Sequence, residues 1–442
     1  MCKAVWIAAV LGLATAGGIA AQTPLPPPVT EADYGPIDPA EAKLGQLLFY
    51  DPVLSGNRNI SCATCHHPKF ATSDGLSLGL GEGGVGLGPD RHATARNTPE
   101  ERIPRNATAL FNLGAKAFTT LFHDGRIQAD PTRKSGIRTP MDEDMVTGFS
   151  GVLSAQTMFP VLSPDEMAGH YSENDVAQAV RSGLITGPGG AWDIISKRVA
   201  AIPQYQAGFE AVYPHVAAGE EVRFTDISNA IAAFIAFEWR SDDSPFDAAL
   251  RGEVPLSGLA ADGAALFYGE AGCAGCHSGP FQTDHGFHAT GAPQLGPGKA
   301  ARFEHHSRDD GRMRVTGREE DRFAFRTPSL RNVARTGPWG HAGAHDDLRR
   351  FVADHVRGGA ALDAYVRSAV LPDLPGGKPD WAVLDDPAER AALAAASRSG
   401  PALTEPELDA LLAFLDSLTD PAALSGRLGV PDRVPSGLAV DR

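Results

Sequence analysis

Two short strings constrain this chain more than anything else in it: C-A-T-C-H at 62–66 and C-A-G-C-H at 273–277. Each sets two thiols on one turn with an imidazole directly after, so that all three can approach a single flat ligand from one side. This is the attachment signature of c-type haem, in which the thiols add to the vinyl groups and the histidine reaches the iron. Other uses of cysteine fit less well. A thioredoxin-like dithiol has no reason to place histidine next and expects a βαβ setting. A four-cysteine zinc site would have to join pairs more than 200 residues apart. Structural disulfides would not need histidine twice. Apart from Cys2 the chain has no further cysteine. Cys62, Cys65 and His66, then Cys273, Cys276 and His277, are therefore read as two covalent haem sites.

Around these turns the sequence repeats. AKLGQLLFYDP precedes the first motif and ADGAALFYGEAG the second, and both carry Leu-Phe-Tyr at the end of a helix-like stretch. An apolar helix closes each unit. In FTDISNAIAAFIAFEW, Ile227, Ile231, Phe234, Ile235 and Glu238 fall at helical spacing, with Thr225 or Asp226 as the expected cap. In LTEPELDALLAFLDSL, Leu408, Leu411, Leu412, Leu415 and Leu418 form one stripe behind a Thr404/Glu407 capping box. Strand patterns are scarce. The expected fold is mainly α, with two cytochrome c-like domains, each holding one covalent haem among long loops. The expected division is a Pro-rich arm at 22–37, an N-terminal domain at 38–254 and a C-terminal domain at 255–430, with RGEVPLSG as the linker.

The chain opens on a short positive start, an apolar run and small residues. This reads as a signal peptide over 1–21, cut near Ala20 or Ala21, and implies export to the periplasm. No later stretch approaches the roughly 20 apolar residues that a membrane span needs. A formal net charge of −15 argues against nucleic acid and anionic membranes as partners.

With the haem motifs placed, further phrases resemble the di-haem cytochrome c peroxidase family, which includes the MauG-type enzymes. They are PRNATALFNLGA, LFHDGR, AQTMFPVLSPDEM, SPFDAALRGE and FRTPSLRNVARTGPWGHAG, in family order over about 38–420. The resemblance implies that the first haem is the peroxidatic one, with Glu166 and Gln156 above its iron, and that the second haem relays electrons to it. A carboxylate suits that place, because one positioned acid/base can take a proton from one peroxide oxygen and return it to the other. From the residues alone, S-P-D-E-M reads as a helix start that Glu166 caps.

The resemblance also implies a calcium ion between the haems, held by Asn106, Thr336 and Pro338; oxygen donors suit that hard cation. The family's tryptophan between the haems aligns with His123, whose imidazole is much harder to oxidise. The far-side ligand of the second haem, methionine in the peroxidases and tyrosine in MauG-type enzymes, aligns with His355, 19 residues after Thr336. Bis-histidine ligation through His277 and His355 is expected, with Met313 or an open iron face as alternatives. Methionine raises a haem's potential and histidine does not.

The implied partners are hydrogen peroxide and a small electron-donor protein, either a cytochrome c or a cupredoxin. The MauG-type alternative implies a protein substrate, and a pure electron-transfer cytochrome is the third reading. A homodimer is compatible with the sequence. Of the other histidines, His67 is expected at the surface, His92 in a long loop, and His285, His288, His305 and His306 in solvated loop. The stretch between His123 and Gln156 is longer than the family's spacing.

Overall fold

A computed structural model of the chain describes residues 23–300, 304–400 and 402–442; the signal-peptide reading lies outside them. The described residues are mainly helical. Their strands are short and form three small antiparallel sheets. Five helices position the sites: α1 (Pro39–Tyr50), α2 (Phe224–Glu238), α3 (Leu259–Tyr268), α4 (Leu348–Arg357) and α5 (Glu405–Asp416). α1 starts where Asp38 accepts the Ala40 N–H at 2.8 Å and Pro39 fills the first helical position. α5 has the expected box, with both the N–H and the hydroxyl of Thr404 donating to Glu407. In α2 the expected cap moves back. Arg223 is the N-cap residue, and Asp226 accepts its N–H at 2.8 Å from the third helical position.

The repeat in the sequence is a repeat in packing. α1 crosses α2 as α3 crosses α5, and a glycine stands at each crossing. A β-carbon on Gly45 would fall inside the carbonyl of Ala230, and one on Gly263 inside the carbonyl of Ala410. The same aromatic contact follows each crossing: Phe49 lies 5.2 Å from Phe234, and Phe267 lies 5.0 Å from Phe414, centroid to centroid. In an open helix, Gly→Ala stabilises by up to about 1 kcal/mol. Here the sign should reverse. Gly45→Val or Gly263→Val is expected to cost about 1–3 kcal/mol through overpacking, read as a lower denaturation midpoint. An unchanged or raised midpoint would mean that the helices separate freely at that point.

Apolar side chains gather into two principal cores. The first takes in Leu48, Phe49, Phe234, Trp239 and the residues around Met158 and Trp192. The second takes in Phe246, Phe267, Tyr268, Leu411 and Phe414. The C-terminal tail returns to the first core. The N–H groups of Arg427, Leu428 and Gly429 donate to the Glu238 carboxylate, Ser436 donates to Asp51 at 2.6 Å, and Val434 is buried. Thr64, inside the first C-x-x-C-H turn, donates to Asp441 at 2.5 Å. The longer stretch after His123 supplies two strands, Ile127–Ala129 and Ile137–Arg138, which extend Thr120–Leu121 into a three-stranded sheet.

Candidate di-haem site

Each C-x-x-C-H string forms one tight turn. Cys62–Cys65 is a single helical turn begun by Ser61, whose N–H donates to the Thr64 hydroxyl. Cys273–Gly275 is a 3₁₀ turn entered through Gly272 at φ 67°, where a side chain would be strained. Burial pushes the thiols of Cys62 and Cys65 up to about 12 and that of Cys273 to about 11. No disulfide joins them. Thiols held protonated in this way are poor nucleophiles for a redox dithiol.

The two adjacent imidazoles are held alike. His66 Nδ1 lies 3.0 Å from the Thr72 carbonyl, and His277 Nδ1 lies 3.1 Å from the Gln282 carbonyl. A carbonyl only accepts, so Nδ1 carries the proton in both and Nε2 is left as the ligand atom. Metal-binding histidines are commonly oriented in this way. Opposite His277, from α4, stands His355, with the ring centroids 6.3 Å apart. Two metal–nitrogen bonds of about 2.0–2.1 Å, with the half-widths of two rings, fill that gap. Burial, with His277 and His345 adding to it, pushes His355 down to about 4, so it is a neutral donor. Met313 begins a short helix beside Arg312, whose guanidinium donates to the carbonyls of Asp124 and Gly125.

On the first side, Gln156 sits on the helix Val152–Thr157, and its Oε1 is buried without a hydrogen-bond partner. Glu166 lies in the π-type turn Pro164–Ala168. Ser163 is the cap there: its Oγ accepts the Glu166 N–H at 3.3 Å. The half-buried Glu166 carboxylate makes no hydrogen bond among the described residues. It lies within electrostatic range of Cys65, Arg126 and Lys299. Lys299, from the far half of the chain, is pushed down to about 8 by burial and by Arg126 and Arg105. Sequence reasoning missed it, since GPGKAA has no motif to mark it.

Between the two turns the interior is charged and aromatic. Buried Arg105 bridges Asp124 at 2.7 Å and Asp309 at 2.6 Å, holding both carboxylates below their usual range. Arg126 lies 3.5 Å above the Phe122 ring. His123 is pushed down to about 3 by burial and by Arg105. Its Nε2 lies 3.2 Å from the Asn106 carbonyl and 3.1 Å from the Thr108 hydroxyl. Asn106 in turn donates from its side chain to the Leu76 carbonyl at 2.8 Å, and its N–H donates to the His341 carbonyl, three residues past Pro338. This brings Asn106 to the segment carrying Thr336 and Pro338.

Several histidines depart from expectation. His67 is buried, at 4 % exposure, because the tail covers it and Tyr50 meets it edge-on. His285 is not solvated loop: it packs edge-to-face on Phe118 at 4.9 Å. His288 pairs with Asp284 at 2.8 Å, and Cys276 stands close enough for the three to form a metal-type cluster. His92 is exposed and bonds the Asp90 carbonyl at 3.0 Å, and His305 is exposed as expected.

The family model for di-haem cytochrome c peroxidase matches residues 39–255. MauG, the methylamine utilization protein of Paracoccus denitrificans, is 30% identical over 417 residues, covering 90% of this chain and 92% of its own length. The chain belongs to the di-haem cytochrome c peroxidase family. Cytochrome c551 peroxidase of Pseudomonas aeruginosa is 28% identical over 340 residues, with 77% of this chain and 78% of that protein covered. Among solved structures, a MauG-like protein associated with microbial copper homeostasis superposes with a TM-score of 0.58 at 26% identity. That match covers 93% of this chain and 97% of the other. Membership implies two c-type haems, and the donor sets at the two turns fit them: free thiols, oriented imidazoles, and a ring-to-ring gap sized for one metal ion.

Proposed function

We propose that this chain is a periplasmic di-haem cytochrome c peroxidase that reduces hydrogen peroxide with electrons from a small redox protein, a cytochrome c or a cupredoxin. The observation that carries this reading is Glu166, a carboxylate without hydrogen bonds among the described residues and within electrostatic range of Cys65 in the first turn, together with the buried, unpartnered Oε1 of Gln156. Haem held at the two turns supplies redox-active iron for O–O cleavage and for electron relay. Cys62, Cys65 and His66 hold the peroxidatic group in a domain spanning 38–254. Cys273, Cys276, His277 and His355 hold the relay group in a domain spanning 255–430. Glu166 takes a proton from one peroxide oxygen and returns it to the other, while Gln156 accepts a hydrogen bond from the bound peroxide and orients it. Asn106 and the carbonyls of Thr336 and Pro338 form an all-oxygen calcium site between the halves. Among the described residues no helix is long and apolar enough to cross a membrane.

A second reading, MauG-type oxidation of side chains on a partner protein, is favoured by the similarity to MauG over nearly the whole chain. The far-side position does not choose between them, since His355 is neither the methionine of the peroxidases nor the tyrosine of the MauG-type enzymes. One experiment separates the readings. The holoprotein, oxidised and then half-reduced, is mixed with stoichiometric peroxide and followed by absorbance. Rapid turnover of a reduced cytochrome donor supports the peroxidase. A persistent spectral change without donor turnover supports protein oxidation. No response in either state leaves only an electron-transfer cytochrome. His355→Met tests the second site: it should raise that haem's potential, and an unchanged second-haem spectrum would remove His355 from the iron.

A further inference from the structure

We infer that Asp354 and His345 form an outer relay behind His355, accepting the ring N–H that His355 turns away from the second iron and thereby lowering that haem's potential. This rests on His355 being the far-side ligand. Three imidazoles are assigned to iron, and two of them have an anchor: His66 donates to Thr72 and His277 to Gln282. The His355 ring has no hydrogen bond among the described residues, although a ligating histidine ordinarily donates its second N–H to some acceptor. A candidate acceptor, His345, stands within electrostatic range and is already oriented for it. His345 is buried, at 1 % exposure, and its Nε2 lies 3.0 Å from Asp354 Oδ2. A carboxylate accepts, so Nε2 carries the proton and Nδ1 presents a lone pair. That Nδ1 is buried and unpartnered.

The surroundings bring the two rings together. Phe351 stacks on His355 at 5.4 Å and meets His345 at 5.5 Å, so one aromatic ring touches both. Tyr365 closes the other side of His345 at 5.1 Å, its hydroxyl committed to the Ala344 carbonyl. His345, Asp354, His355 and Tyr365 line one small cavity with room for about a single water molecule. In the proposal, the His355 N–H reaches His345 Nδ1 directly or through one water in this cavity. A ligand imidazole that donates to a histidine backed by a carboxylate is a stronger electron donor, and it stabilises the oxidised iron.

The test is potentiometric titration of the holoprotein, with near-infrared and low-temperature paramagnetic spectra to report ligation. His345→Phe is expected to shift the second haem's midpoint upward while bis-histidine spectra persist. His345→Gln, whose amide can still donate to Asp354 and accept from His355, should restore most of the wild-type value. Asp354→Asn should give a smaller upward shift. If His345→Phe leaves the potential in place with ligation intact, the relay is overturned. If His355→Met leaves the second haem's spectra unchanged, the ligation reading fails instead, and the relay with it. Should His345→Phe fold without haem, His345→Gln and Asp354→Asn still decide: a downward shift in Asp354→Asn, or none, overturns the proposal.

Discussion

Glu166→Gln is expected to slow peroxide turnover by about 10²- to 10⁴-fold, the usual span for a lost general acid/base, with haem content unchanged. Ser163 already caps the turn that carries Glu166, accepting its N–H. The carboxylate is therefore not needed as a cap and makes no hydrogen bond of its own among the described residues. Its electrostatic neighbours include the cations Arg126 and Lys299, and Arg126 is itself fixed by Asp124 at 3.2 Å and by the Phe122 ring. Glutamine keeps the shape and can still donate a hydrogen bond, but it cannot take up a proton. Steady-state turnover with a reduced cytochrome donor reads the effect, and a pyridine haemochrome assay confirms equal loading. Activity within a factor of two of wild type would return Glu166 to the bland role of a residue in a capped turn.

Local features of this fold were legible in the sequence, and long-range ones were not. The Thr404/Glu407 box and the two Leu-Phe-Tyr helices are written within a dozen residues, and the structure forms them where the pattern lies. The cap of α2 was displaced because Asp226 can serve from inside the helix as readily as before it, and only geometry separates the two. Burial of His67 depends on Asp441 and the tail, more than 370 residues away, and no periodicity announces that return. Gly45 and Gly263 were visible as letters of a repeat. Their reason, a carbonyl of the crossing helix at the β-carbon position, belongs to packing. At the candidate site, motifs pointed to Glu166, Gln156 and the candidate haem ligands. Lys299 and the Asp354–His345 pair belong to no motif, because their neighbours in the fold are distant in sequence or hidden behind one.

Arg331→Met should destabilise the protein by about 3–5 kcal/mol, the cost typical of breaking a buried ion pair from one side. Arg331 and Asp247 have side-chain exposures of 0% and 1% and meet at 2.5 Å. Asp247 Oδ2 also accepts the N–H and hydroxyl of Ser244, at 2.9 and 2.6 Å, closing the cap of the helix Pro245–Leu250. Its Oδ1 has no partner, so the carboxylate depends on the guanidinium for compensation. The remaining Arg331 nitrogens donate to the Pro280 carbonyl, three residues past His277. One side chain thus ties the SLRN phrase both to the SPFDAAL helix and to the second haem turn. Methionine fills the volume but leaves a buried anion and an unpaired carbonyl. Adding Asp247→Asn removes the charge while its amide oxygen still serves the Ser244 cap, so the double variant should recover much of the loss; this coupling is expected between residues in contact. Denaturant titration of the two single variants and the double variant measures it. If Arg331→Met alone shifts stability by less than about 1 kcal/mol, or the double variant is simply additive, the ion pair is not what holds the second turn against its helix.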